Sequence, residues 1–85
     1  MEFAKSLAGH DRNHVYLIWK KEERFVYLVN GTTHTIEHPK RKNEKHYQII
    51  KNIPENIFKM LQESEPLTDD RIRQAVKAYE RSINK

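Results

Sequence analysis

Two stretches near the start of the chain are dense in β-branched and aromatic residues: 14–19 (HVYLIW) and 24–29 (RFVYLV). This composition is typical of β-strands. The charged residues 20–23 between them predict a short turn, so the simplest arrangement is an antiparallel pair. Both stretches are apolar on both faces. We therefore expect each strand to be covered on two sides, as in a small closed barrel or under a helix.

Turn signals predict further strands around this pair. Asn30 and Gly31 both tolerate positive φ, which predicts a tight hairpin turn directly after the second strand. The chain should then run back as a third strand over 32–37, and Pro39 should end its pairing because proline lacks a backbone donor. The remaining expected strands are 3–7 and 47–50. About five short strands within residues 1–50 predict a small antiparallel barrel.

The last third of the chain has the apolar spacing of two helices. The first is predicted over 54–63, beginning near Pro54 and ending before Glu65 and Pro66, where proline disfavours helical backbone. Its apolar face consists of Ile57, Phe58 and Leu61.

The second helix is predicted to begin after Thr68, whose hydroxyl suits an N-cap, with Asp69 and Asp70 at the positive end of the helix dipole. Apolar residues then recur at helical spacing and form one stripe. The stripe consists of Ile72, Val76, Tyr79 and Ile83. The sequence thus predicts a mainly β protein with an α appendage. A barrel occupies 1–50, and a helical hairpin within 51–85 packs on it or reaches to a partner.

Composition excludes several classes of protein. No apolar run approaches the ~20 residues of a membrane span, and the chain does not open as a signal peptide would. The absence of cysteine excludes a disulfide framework, a thiolate zinc site and a thiol nucleophile. We therefore expect a cytoplasmic protein without membrane contact. A chain of 85 residues must spend most of its apolar residues on folding, which leaves few for a catalytic cleft.

The formal net charge of +4 is modest, but the cations are unevenly distributed. The densest run is 39–46 (PKRKNEKH), with four basic residues, one acid and a histidine. A run of this kind is compatible with a solvated loop. The functional alternative is an anion-binding loop that faces RNA phosphates.

Residues 4–18 (AKSLAGHDRNHVYLI) resemble the KOW motif, in which a hydrophobic strand passes through a turn with a central glycine into a second strand. Gly9 stands where the backbone must turn sharply without a Cβ. Residues 11–13 replace the usual Asp-Lys-Gly, so Asn13 takes the place of the second glycine. Because asparagine also tolerates left-handed backbone, we expect the turn to survive.

The resemblance continues through 27–31 (YLVNG), 36–42 (IEHPKRK) and 45–46 (KH), and it covers roughly residues 2–50. Together these segments resemble small bacterial KOW-domain RNA-binding proteins, which are related to large-subunit ribosomal proteins of archaea and eukaryotes. The resemblance implies an SH3-like β-barrel that binds RNA, in particular ribosomal RNA. It also implies a ribosome-associated setting, with ribosomal proteins as further candidate partners.

The candidate RNA-binding residues follow from the basic run and from this resemblance. His46 is a candidate for stacking on a base or pairing with phosphate, with a packed structural histidine as the alternative. Four cations, fanned out by a turn after Pro39, are the expected phosphate contacts: Lys40, Arg41, Lys42 and Lys45. The turn between the first two strands commonly lies near RNA in this family, which makes Lys5, Arg12 and His14 secondary candidates.

Flat side chains are a second requirement of an RNA-binding surface. Tyr16, Trp19 and Tyr47 could stack on bases, but we assign all three to the core, because so short a chain needs its aromatic rings there. Trp19 also alternates with Val15 and Leu17, which predicts that the three side chains point to the same side.

The second helix carries Arg73, Lys77 and Arg81 at intervals of four residues, away from the apolar stripe. We assign them to a solvated face, with Asp69 pairing Arg73 at i,i+4. A second contact with RNA or the ribosome is the alternative.

Neither metal binding nor catalysis is expected. His10 and His14 are four residues apart, as are His34 and His38, but both pairs fall in predicted turns or strands rather than on a helix. No P-loop, nucleophile elbow or paired-carboxylate signature is present. The sequence therefore favours a non-enzymatic, cofactor-free module that docks a basic loop on structured RNA.

The alternative function is a protein-interaction or oligomerisation module that uses the apolar stripe of the last helix. SH3-like barrels serve both uses, so the fold alone does not decide between them. The sequence leaves the oligomeric state open.

Overall fold

Five antiparallel strands form one open sheet in the order β4-β3-β2-β1-β5, and two helices follow it. The computed structural model describes residues 2–7, 9, 13–63 and 65–83. The strands are β1 (Phe3–Ser6), β2 (Val15–Lys21), β3 (Phe25–Val29), β4 (Lys40–Asn43) and β5 (Tyr47–Ile50). A 3-10 helix (Glu44–His46) joins β4 to β5, and the α-helices are α1 (Glu55–Gln62) and α2 (Asp69–Ile83). The predicted class, an antiparallel sheet followed by two helices, is confirmed.

The strand predicted over 32–37 is wrong. These residues belong to a loop, and strand pairing resumes only at Lys40. The Oδ1 atom of Asn30 accepts hydrogen bonds from the backbone N–H groups of Thr32 and His34, both at 3.0 Å. Asparagine side chains compete with strand ladders in this way, because they satisfy backbone donors locally. Asn30 therefore does begin a turn, but the turn opens a long loop instead of a tight hairpin.

Two described residues between β1 and β2 have the left-handed backbone that the sequence predicts. Gly9 has a φ of 83° and Asn13 a φ of 71°. Asn13 thus has the left-handed backbone that the sequence predicts for it.

The regular pairing of β2 with β3 is interrupted at Trp19. Ile18 lies opposite Leu28, and the next pair is Lys20 opposite Tyr27, so the register shifts between them. A bulge of this kind inserts one extra residue and changes which face the following side chains occupy. The side chain of Trp19 is 39% exposed, and its assignment to the core is wrong for this reason.

The sheet buries apolar side chains on both faces, as the two-sided strands predict. One cluster contains residues of β1, β2 and β3 together with residues of both helices. A second cluster on the other face contains only residues of the sheet, and Tyr16 and Tyr47 belong to it, as predicted. The first cluster includes Phe3, Val15, Leu17, Val29, Ile57, Leu61, Ile72, Ala75, Val76 and Tyr79. The second is Ala4, Tyr16, Ile18, Val26 and Leu28, with Tyr47 and Ile49 packed against it.

Both predicted helices form close to their expected limits, and they pack on the sheet. Thr68 caps α2, since its Oγ1 accepts a hydrogen bond from the N–H of Arg71 at 3.2 Å. The predicted stripe is buried at Ile72, Val76 and Tyr79, whereas Ile83 is 51% exposed. Neither described helix is long and apolar enough to cross a membrane.

The loop between β3 and β4 is held against the start of α2. The backbone N–H of Ile36 donates to Oδ1 of Asp69 at 2.8 Å. Gly31, with a φ of 81°, lies so close to α2 that an added Cβ would stand 2.2 Å from the carbonyl oxygen of Asp69 and 2.6 Å from the nitrogen of Arg73. The loop and the helix therefore share a contact that only glycine permits.

Candidate nucleic-acid interface

The basic run that the sequence predicts as a loop is mostly an edge strand. Lys40, Arg41 and Lys42 lie in β4, which occupies one end of the strand order and pairs with β3. Arg41 lies opposite Tyr27, while Lys40 and Lys42 lie opposite residues of the second cluster. Because side chains alternate along a strand, Arg41 projects to one face of the sheet and the two lysines to the other.

The rest of the run forms the 3-10 helix after β4. The Oδ1 atom of Asn43 accepts a hydrogen bond from the N–H of Lys45 at 3.0 Å and caps this turn. The N–H of Leu7 donates to the carbonyl oxygen of His46 at 2.9 Å, which joins the turn to the end of β1. Lys45 and His46 are exposed, so the alternative of a packed structural histidine is wrong for His46.

The secondary candidates do not join this group. Lys5 lies in β1, with β2 and β3 between it and β4, and it lines a groove with Tyr79 and Ile83 of α2. His14 precedes β2 and lines a separate cavity of about 120 Å³ beside α2. Arg12 lies outside the described residues. The structure thus places the basic run on β4 and the turn after it, with Arg41 on the other face of the sheet from Lys40 and Lys42. Lys5 and His14 lie beside α2.

An aromatic surface that sequence reasoning missed lies next to Arg41. The guanidinium carbon of Arg41 is 3.8 Å from the centre of the Phe25 ring, and Nζ of Lys20 is 5.9 Å from the centre of the Tyr27 ring. Both distances are within the range of cation–π contact. We call Trp19, Lys20, Phe25, Tyr27 and Arg41 the aromatic face.

Trp19 and Tyr27 line a shallow groove of about 260 Å³ on this face. Lys20, Pro39 and Ile36 complete its walls. Phe25 and Tyr27 alternate with the buried Val26 and Leu28, so the sequence did carry a signal for two aromatic rings on one face. The sequence carried no signal for the exposure of Trp19, because the bulge arises from the pairing of β2 with β3.

The carboxylate of Glu22 contacts the aromatic face at Tyr27. A hydrogen bond to the Glu22 carboxylate raises the pKa of Tyr27, with smaller contributions from desolvation and from the charge of Glu22. The phenol of Tyr27 therefore keeps its proton to a higher pH than an isolated tyrosine does, although the charge of Arg41 opposes this effect.

The cations of α2 are arranged differently from the sequence prediction. Arg73 pairs with Asp70, not with Asp69, because the Asp69 carboxylate is bound to the backbone of Ile36. The hydrogen bond from Arg73 and its charge lower the pKa of Asp70 below the ordinary value. Lys77 and Arg81 are exposed. They lie on the helical side of the molecule and do not extend the surface formed by β4.

The histidines form no metal site within the described ranges. No group of three or more histidine, cysteine, aspartate or glutamate side chains in this part of the chain is placed to hold an ion. His34 instead contacts Tyr16, with ring centres 5.9 Å apart.

No protein-family model matches this chain, and no curated protein is significantly similar to it. Its candidate interface is therefore defined by geometry: a basic edge strand, a capped basic turn, and an aromatic face that shares Arg41 with the strand.

Proposed function

We propose that this protein is a non-catalytic RNA-binding module of the KOW type, with its sheet curled as an SH3-like barrel. The strand order supports this fold, because β5 returns beside β1 and the second apolar cluster fills the face that the helices leave uncovered. The basic edge strand docks on RNA through its phosphates. The KOW resemblance favours structured ribosomal RNA and a ribosome-associated role in the cytoplasm.

The observation that carries the proposal is the concentration of cations on β4 and the turn after it. Lys40, Arg41 and Lys42 are consecutive, and Lys45 follows in a capped turn. Phosphate neutralisation by such cations releases counterions, so it gives affinity that depends strongly on salt. Lysine on an edge strand also discourages pairing with other chains, a purely structural use that leads to no salt-dependent RNA affinity.

The apolar stripe of α2 gives little support to the alternative of a protein-interaction module. Ile72, Val76 and Tyr79 are buried against the protein's own sheet, and Ile83 is the exposed residue of the four. A single isoleucine is far smaller than the roughly 800 Å² per partner that a standard interface buries.

The proposal predicts a specific dependence of RNA affinity on salt. With about four phosphate contacts, the slope of log affinity against log salt should be roughly −3 for single-stranded RNA. Replacement of Lys40, Arg41, Lys42 and Lys45 by Glu should abolish most of the affinity and flatten this slope. Fluorescence anisotropy of labelled RNA at several salt concentrations measures both quantities, and circular dichroism checks that the variant is folded.

The matched control reverses four exposed cations elsewhere: Lys51, Lys59, Lys77 and Arg81. It changes the net charge by the same amount but leaves β4 intact, so it should retain most of the affinity. Equal losses of RNA affinity in the two variants would indicate unspecific electrostatic attraction. Unchanged RNA affinity after charge reversal of the basic run would exclude β4 and the turn after it as the RNA site. Crosslinking in cells, followed by sequencing of the bound RNA, identifies the RNA itself.

A further inference from the structure

We propose that the aromatic face binds unpaired bases of single-stranded RNA by stacking, beside the phosphate-binding strand β4. This inference rests on the proposed function and specifies which form of RNA the surface takes. It is carried by three aromatic side chains that folding leaves outside both buried clusters.

Trp19 is 39% exposed, and Phe25 and Tyr27 are half-buried. Hydrophobic residues make up 36% of the sequence, and the single tryptophan is not used in either core cluster. The bulge in β2 places Trp19 at the surface, where it lines one groove together with Tyr27. The groove of about 260 Å³ is smaller than the ~300 Å³ at the lower end of drug-sized ligand sites. It fits one flat group rather than a whole small molecule.

The cations on the same face indicate that the flat group belongs to an anionic polymer. Arg41 lies over the Phe25 ring and is exposed, and an arginine guanidinium can stack on a base. Lys20 lies near the Tyr27 ring at the longer distance of 5.9 Å from its centre. A base that stacks on Trp19 or Arg41 brings its phosphates toward Lys20 and Arg41 on this face. The RNA strand reaches Lys40 and Lys42, which project to the other face, around the edge that β4 forms.

The geometry favours single strands over duplexes. Bases within a duplex have both faces covered by their neighbours, whereas unpaired bases can stack on aromatic rings and on arginine. A flat platform on a sheet therefore selects unpaired nucleotides, and the salt-dependent contacts of β4 add affinity without regard to pairing.

Trp19 is the chain's single tryptophan, so its fluorescence reports directly on the site. The experiment titrates the intact protein with a short oligouridylate and, in parallel, with an RNA duplex that has the same number of phosphates. Oligouridylate should quench Trp19 and shift its emission. The duplex should bind with less affinity and leave the emission nearly unchanged.

Substitutions at Trp19 separate stacking from simple apolar contact. Trp19→Leu should weaken oligouridylate binding about tenfold, the value for loss of one stacked base, while Trp19→Phe should retain most of the affinity. Anisotropy of labelled RNA measures both variants. Ile83→Ala is the matched control, because it truncates another exposed apolar side chain, which lies on α2 and outside the groove.

The outcomes distinguish this inference from the proposed function. If oligouridylate and duplex bind equally and Trp19→Leu binds as the wild type does, the stacking inference is wrong while RNA binding stands. If neither RNA binds, both are wrong. A proline-rich peptide is a further arm of the titration, because such peptides also dock in aromatic grooves. Quenching by the peptide and not by RNA would overturn the inference in favour of a peptide site.

Discussion

At the scale of single residues, Gly31 connects backbone conformation to packing most directly. Its φ of 81° disfavours any residue with a side chain, and a Cβ would stand 2.2 Å from the backbone of Asp69. Gly31→Ala should therefore lower the free energy of unfolding by roughly 3 kcal/mol or more, combining backbone strain with overpacking. Urea unfolding monitored by circular dichroism measures the loss.

Gly9→Ala provides the comparison, since Gly9 has a similar φ of 83° but is exposed. It should lower the free energy of unfolding by less than Gly31→Ala does. Gly31 approaches α2 closely, so a Cβ there adds overpacking to the backbone strain. Equal losses in the two variants would contradict the packing argument and leave backbone strain as the whole effect.

The hydrogen bond between Glu22 and Tyr27 gives a prediction about pH. Because this bond raises the Tyr27 pKa, the folded state holds the phenolic proton more tightly than the unfolded state does. The resulting stabilisation is fully present below the ordinary tyrosine value of about 10 and disappears as the pH rises through the raised pKa. Glu22→Gln should return the Tyr27 pKa toward its ordinary value.

Carbon-13 NMR of the labelled tyrosine rings follows this titration residue by residue. Glu23→Gln is the control, because the neighbouring carboxylate does not contribute to the Tyr27 shift. A Tyr27 pKa that moves equally in both variants would show that general surface charge, and not the hydrogen bond, is responsible.

Residue patterns predicted some of these features and missed others for physical reasons. The left-handed φ of Asn13 was predictable, because it depends on the residue's own side chain. The exposure of Trp19 was not, because it depends on a register shift against β3 that no local pattern encodes. Asn30 signals a turn, but which backbone donors its side chain captures depends on the loop around it.

At the scale of elements, Asp69 links α2 to the loop between β3 and β4. Its carboxylate accepts a hydrogen bond from the backbone of Ile36 at 2.8 Å. Asp69→Ala should cost about 1.5–3 kcal/mol of unfolding free energy, as expected for a hydrogen bond to a charged group. It should also speed hydrogen exchange at the Ile36 amide. Urea unfolding and amide exchange measured by NMR test the two effects.

Asp70→Ala is the control for Asp69→Ala, because both residues lie in the first turn of α2. Asp70 pairs with Arg73 at the surface. Asp70→Ala should therefore lower the free energy of unfolding by less than Asp69→Ala and leave hydrogen exchange at the Ile36 amide unchanged. If Asp70→Ala exposed the Ile36 amide as strongly, the link would be a general property of the helix start.

The helices were predictable as elements, whereas β4 was not. Thr68 and the spacing of Ile72, Val76 and Tyr79 define α2 locally. Residues 40–43 (KRKN) contain no apolar residue and have low strand propensity, so no local signal marks them as β. Pairing with β3 supplies their backbone partners, and tertiary context overrides propensity here.

At the scale of the whole molecule, one apolar core joins the sheet to the helices. Ile72 is fully buried in this core, although it belongs to the segment predicted as an appendage. Ile72→Ala should lower the free energy of unfolding by about 2–5 kcal/mol. Ile83→Ala, on the same predicted stripe but exposed, should change it by no more than about 0.5 kcal/mol. Thermal and urea unfolding of the two variants give the comparison.

Similar losses of unfolding free energy in Ile72→Ala and Ile83→Ala would mean that Ile83 is covered in solution, for example by a second copy of the chain. Analytical ultracentrifugation of the wild type then distinguishes a monomer from a dimer.

The candidate site was predictable in its charges but not in its shape. The sequence identifies Lys40, Arg41, Lys42 and Lys45 because they are adjacent. It does not place Arg41 on Phe25, since that contact arises between strands, nor does it show that Lys5 faces the helices. Contacts between side chains of different elements depend on how the whole chain folds, and the spacing of residues along the sequence does not predict them.

The shared core also has a consequence for synthesis of the chain. The ribosome completes β5 at Ile50, but the face formed by Phe3, Val15 and Leu17 is covered by residues as late as Tyr79. A nascent chain that ends before α2 therefore exposes apolar surface, which favours aggregation. The first strands therefore become protected only after α2 has been synthesised and has packed on them.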